Sequence, residues 1–187
     1  MMIYHPQRQD GFALLMSLIV VGTVVSVGLT VLDITLKQLR LSTGSRDSEI
    51  AFHAANAGAE CLRFWRQDKQ DEFETGTHPL TINCFGGDLN LDFFDLNNNT
   101  YLYTGEFSWS PAPNDNRCTL FTVMTINPDN VAVTRNDMRT HLPGYPDTDK
   151  TCAALGRCTI ISVQGYNRNC LPSFPVGTVQ REVLLEL

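Results

Sequence analysis

Six cysteines carry the most chemistry in this sequence: Cys61, Cys84, Cys118, Cys152, Cys158 and Cys170, spread through a chain of 187 residues. No two form a Cys-x-x-Cys pair, and none stands at ligand spacing from a histidine, so no metal site is expected. An even six in a domain of modest size reads as three disulfides formed in an oxidising compartment, with 15 connectivities open. A thiolate nucleophile is the weaker reading of any one of them. Asp88, Asn90 and Asp92 alternate oxygen-bearing side chains of the kind that hold Ca²⁺, but the turn glycine and distal Glu of an EF-hand are absent. Their alternation with Leu89, Leu91 and Phe93 is that of a half-buried strand. His53, His78 and His141 stand apart from one another and read as structural or surface residues. Gly-x-Ser-x-Gly, a phosphate loop and His-Glu-x-x-His are all missing, so neither a catalytic residue nor a cofactor is expected and the chain does not read as an enzyme. A formal charge of −6 with only 18% charged residues leaves no basic stripe for nucleic acid.

The elements that must position these cysteines begin with an uncharged stretch from Gly11 to Leu32, 22 residues long. As a helix it covers roughly 33 Å, enough to cross the hydrocarbon core of a bilayer. A signal peptide fits poorly, because the leader has one Arg8 offset by Asp10, the run is too long and no Ala-x-Ala follows. A buried core helix fits poorly too, because Ile19, Val20, Val21, Val24, Val25, Val27 and Val31 surround the whole circumference. A single-pass membrane anchor is the expectation. Lys37, Arg40 and Arg46 follow the span and by the positive-inside rule favour a cytoplasmic C-terminal domain. The six cysteines favour the opposite side and outweigh them, so the domain is expected outside.

Asp33 to Arg66 lacks proline and is rich in helix formers, so the helix is expected to continue as one rod of about 55 residues, roughly 80 Å. In its second half Ile50, Ala54, Ala57, Cys61 and Trp65 step by three or four and form an apolar stripe that would dock on a sheet. Short alternating runs follow: Leu80 to Cys84, Tyr101 to Trp109, Thr119 to Ile126, Thr159 to Tyr166 and Val179 to Leu187. Tyr101, Tyr103, Phe107 and Trp109 give one strand an aromatic face, opposite Thr104, Glu106 and Ser108. That predicts an antiparallel sheet with one wet face and the amphipathic helix on the other. The expected class is α+β, with Pro111 to Asn116 and Asn136 to Thr151 as surface loops.

Gly11-Phe12-Ala13-Leu14-Leu15-Met16 opens the apolar segment after a short polar leader, and it resembles the processing site of type IV prepilins. The run Ala51-Phe52-His53-Ala54-Ala55-Asn56-Ala57-Gly58-Ala59-Glu60 is similar to the Ala-rich helix segment of PilX-like minor pilins and K-type minor pseudopilins. Ser162 to Tyr166 and Val179 to Val183 resemble their paired late strands. The resemblance implies a pilin-like fold with a leader 1–11, a filament-core helix 12–32, an amphipathic helix 33–66 and a disulfide-stabilised β region 67–187. It implies cleavage after Gly11 by a prepilin peptidase and methylation of Phe12. It further implies helix packing through Phe12, Leu15, Met16, Ile19 and Val20, with other pilin-like subunits and an inner-membrane assembly platform as partners. Local unwinding at Gly22 and Gly28 is a further expectation of that packing. Major pilins carry Glu where this chain has Met16. In the family that carboxylate pairs with a neighbour's N-terminal amine, so its absence points by analogy to a filament tip or to initiation. The competing expectation is an unprocessed signal-anchored binding module.

Overall fold

A computed structural model describes residues 10–110, 116–142, 144–170 and 175–187. The leader up to Gln9 and most of the Pro111 to Asn116 loop lie outside the described residues. The chain divides into two compact units, residues 1–45 and 46–187. Among the described residues the first contains the opening part of helix α1 (Asp10–Asp68), which is 59 residues long. No proline interrupts it, and the good helix formers Leu and Ala are frequent along it, which removes the commonest causes of helix breakage. In this unit Ser17, Thr23, Thr30 and Thr35 donate their hydroxyls to carbonyls three or four residues back, satisfying them without an outside partner.

The second unit is α+β. After α1 comes a short helix α2 (Gln70–Thr75), stopped by Gly76 in the left-handed conformation, whose N–H reaches back to the carbonyl of Glu72. A hairpin follows, β1 (Thr81–Cys84) with β2 (Gly87–Asn90). The main sheet contains β3 (Asp92–Asp95), β4 (Thr100–Trp109), β5 (Arg117–Ile126), β8 (Cys158–Tyr166) and β9 (Gln180–Glu186). These five pair antiparallel in the order β3-β4-β5-β8-β9. Between β5 and β8 the chain leaves the sheet to form β6 (Val133–Arg135), α3 (Met138–His141) and β7 (Lys150–Cys152), with β6 and β7 paired.

The two faces of the sheet build two cores. On one, the row Tyr103–Val123–Ile161, with Phe107, Phe121 and Val163, packs against Ala59 and Leu62 of α1. Phe73 of α2 and Ile82 of β1 join the same layer, so the hairpin lies beside the helix rather than in the sheet. On the other face, Leu102, Met124 and Ile160 meet Met138, Leu142 and Tyr145. The second core corrects two expectations. The face opposite α1 is not simply wet, and the segment 136–151 is not only a surface loop: it carries α3, and Met138, Leu142 and Tyr145 are buried. The reason is geometric, since α1 covers one face and Leu102, Met124, Ile126 and Ile160 must bury their apolar area against something else.

Candidate functional site

In the first unit Phe12, Leu15, Met16, Ile19 and Val20 are between 48% and 66% exposed, and none of the described residues covers them. The same holds for Leu18, Val21, Val24, Val25, Val27, Leu29, Val31 and Leu32. This is the one helix among the described residues long and apolar enough to cross a membrane. An apolar surface of this extent has no stable existence in water, so lipid or other helices must surround it. The charged pair Asp33–Lys37 sits just beyond, one helical turn apart at 2.8 Å and exposed to solvent. Gly11 lies within α1 beside Phe12.

In the second unit the helix docks on the sheet through its smallest residues. Ala51, Ala54 and Ala55 are fully buried and Ala59 nearly so, while Ile50, Ala57, Cys61 and Trp65 lie half-buried at the margins. Two glycines set the closeness of this approach. A Cβ on Gly165 of β8 would come within 2.2 Å of both the Ala51 carbonyl oxygen and the Ala55 nitrogen. One on Gly58 would come within 2.6 Å of the Thr119 methyl group and 2.9 Å of a Val163 methyl group. The backbone of α1 therefore rests directly on β8, which a strand glycine permits. Thr119 adds a hydrogen bond from its hydroxyl to the Ala54 carbonyl, at 3.1 Å. Neither Gly165 nor Thr119 stands out from hydrophobic spacing. The available signal was a glycine interrupting an otherwise alternating strand.

The C-terminal end of α1 is fixed by charge. Arg66 and Glu74, only 8% and 4% exposed, form a buried ion pair. Arg66 Nε also donates to the Thr159 hydroxyl at 2.7 Å, and Arg157 meets the second Glu74 oxygen at 3.0 Å. Every oxygen of the buried carboxylate thus has a cation, which offsets its desolvation. This triad joins α1, α2 and the loop before β8, and its distant partners gave no spacing signal in the sequence. Tyr103, beneath it in the core, donates its hydroxyl to the Glu72 and Thr77 carbonyls, and burial pushes its pKa far above the ordinary tyrosine value.

All six cysteines are paired: Cys61–Cys84, Cys118–Cys170 and Cys152–Cys158. The first ties α1 to the β1–β2 hairpin, the second ties β5 to the segment after β8, and the third closes the loop between β7 and β8. Asp88 and Asn90 are engaged across the hairpin, accepting hydrogen bonds from Asn83 at 2.8 Å and Thr81 at 2.6 Å. His53 lies near Glu49, His78 packs tilted against the Phe93 ring, and His141 faces Asp137. No group of three or more His, Cys, Asp or Glu side chains capable of holding a metal occurs among the described residues. The arrangement is mechanical: an exposed apolar helix joined through one continuous backbone to a helix segment held by backbone contact, a buried ion triad and a disulfide. No family model, curated protein or solved structure matches the chain, so its function is argued from its own residues.

Proposed function

We propose that the chain is a minor pilin or pseudopilin subunit. It is inserted once in the cytoplasmic membrane with its C-terminal unit outside, cut after Gly11, methylated on Phe12, and assembled through its N-terminal helix into a pilus or secretion pseudopilus. The observation that carries the reading is one helix with two kinds of surface. Its first part exposes apolar side chains that no described residue covers, and its second part is fixed to a disulfide-stapled sheet by contacts too close to slip. A subunit moved from membrane to filament by force on its helix needs that fixation. In this proposal the partners are other pilin-like subunits, a prepilin peptidase and an inner-membrane assembly platform, and the chain performs no catalysis. Met16 in place of a carboxylate avoids the cost of an unpaired charge in lipid and supports a position at the tip or in initiation.

The reading is tested by shearing surface filaments from cells of the source organism and probing for the chain. The expected result is recovery in the sheared fraction, lost when Gly11→Val blocks the cut. Retention of both forms in the membrane fraction, each with its leader uncut, would leave an unprocessed signal-anchored binding module as the better account.

A further inference from the structure

The second face of the main sheet is covered only in part. Beyond the rows beneath α3, Thr104–Thr122 and Glu106–Leu120–Gln164 stay partly open, with Ser162 buried at the end of the first row. With Asp92 of β3 and His141 of α3 they line an open groove of 390 Å³. No Lys or Arg lines it, and His141 is turned to Asp137 at 3.5 Å. Ser162 on the floor donates to Glu182, which brings a third carboxylate beside the groove. Asp92 and Glu106 have no ion-pair partner among the described residues. The groove is therefore negative and lacks its own counter-charge.

A complementary feature lies on the first unit. Lys37 and Arg40 are exposed just past the apolar segment, where positive charge opposes an outward orientation of the following domain. Basic residues that work against topology need another role. Arg40 has no acidic partner among the described residues, and Lys37 has only Asp33. At a spacing of three residues the two cations share one helix face, about 5–6 Å apart. Asp92 pairs directly with Thr104, so Glu106 is its diagonal neighbour at about 7–8 Å, a difference that two long cationic side chains span.

We propose that the groove of one copy receives the Lys37–Arg40 face of a second copy, with Arg40 on Glu106 and Lys37 on Asp92. This rests on the reading of the chain as an assembling subunit. The two patches differ, so the contact is heterologous: one copy gives its groove and the other its basic face, which leaves a free patch of each kind at the ends of the pair. Its ionic character makes it reversible by salt.

The test uses the full chain in phosphatidylcholine vesicles, labelled with donor or acceptor at the C-terminus, with energy transfer reporting association. Arg40→Glu and Glu106→Lys each weaken association about fivefold. An equal mixture of the two variants regains it, because the reversed basic face of one meets the reversed groove of the other. Both positions are exposed, and an unchanged disulfide map and circular dichroism spectrum show that the variants fold. The proposal is overturned if the unmodified chain does not associate, if either reversal has no effect, or if the mixture stays as weak as the single variants. The N-terminal residue is read on chains co-expressed with a prepilin peptidase, separately from these vesicles. Chains that swap partners as described but begin at Met1 or Met2 keep this contact and lose the pilin reading. Chains that begin at Phe12 and fail the swap do the reverse.

Discussion

Gly165→Ala adds one methyl group where the structure leaves no room. The new Cβ would stand 2.2 Å from the Ala51 oxygen, 2.2 Å from the Ala55 nitrogen and 2.9 Å from the Ala54 carbonyl carbon. These are backbone atoms of a helix, and Gly165 lies within a strand bonded on both sides, so no flexible side chain can yield. Replacing glycine in a strand would ordinarily help by about 0.5–1 kcal/mol. Overpacking against fixed backbone costs more, about 3 kcal/mol at the upper end of its usual range. The net loss lowers the melting temperature by about 4–10 °C for a domain of this size. Gly58→Ala is the graded comparison, since its Cβ meets side-chain atoms of Thr119, Val163 and Phe107 that can shift, so its loss is smaller. Thermal unfolding of the full chain in detergent, followed by the fluorescence of Trp65 and Trp109, reads both. A Gly165→Ala chain that melts with the unmodified one, or above Gly58→Ala, would refute the close-contact account.

Three further outcomes follow from the same structure. Glu74→Gln leaves Arg66 buried without its counter-charge and lowers unfolding free energy by about 3–5 kcal/mol, measured by denaturant titration. Removing Cys118–Cys170 through a double Ser replacement costs about 4 kcal/mol, whereas removing Cys152–Cys158 costs about 2, because the loops span 52 and 6 residues; the titration should rank them in that order. The Lys150 ammonium, then the Tyr145 hydroxyl, hold the Glu186 carboxyl below its ordinary pKa. A lowered folded-state value gives stability that is present above the unfolded pKa and lost as pH falls through the folded one. Glu186→Gln should therefore flatten the decline in melting temperature with acid below about pH 4.3, and an unchanged acid limb would contradict the assignment.

Strands with strict alternation were legible in the sequence. Tyr101 to Trp109 and Thr159 to Tyr166 each match an observed strand to within one residue, because one face had to be apolar along their whole length. The docking surface of α1 was harder to place. Spacing by three or four selected Ile50, Ala54, Ala57, Cys61 and Trp65; Ala54 is fully buried on the sheet and the other four lie at the margins, whereas contact is closest around Ala51, Ala55 and Gly58, where the residues are smallest. Hydrophobicity measures what is gained by burial and says little about how near two backbones come. The second core was hidden for a related reason. Met138, Leu142 and Tyr145 have helical spacing, but Pro143, Gly144 and Pro146 around them read as a loop. The cysteine pairs, like the Arg66–Glu74–Arg157 triad, depend on which distant segments the sheet brings together, and that order is not written locally.

The central claim is tested most directly at the N-terminus. The full chain is expressed with an active prepilin peptidase and, separately, with an inactive one, and the membrane-bound product is read by intact mass and N-terminal sequencing. The account predicts a chain beginning at methylated Phe12 only when the peptidase is active. A chain beginning at Met1 or Met2 in both cases, with a control substrate cut normally, would contradict it.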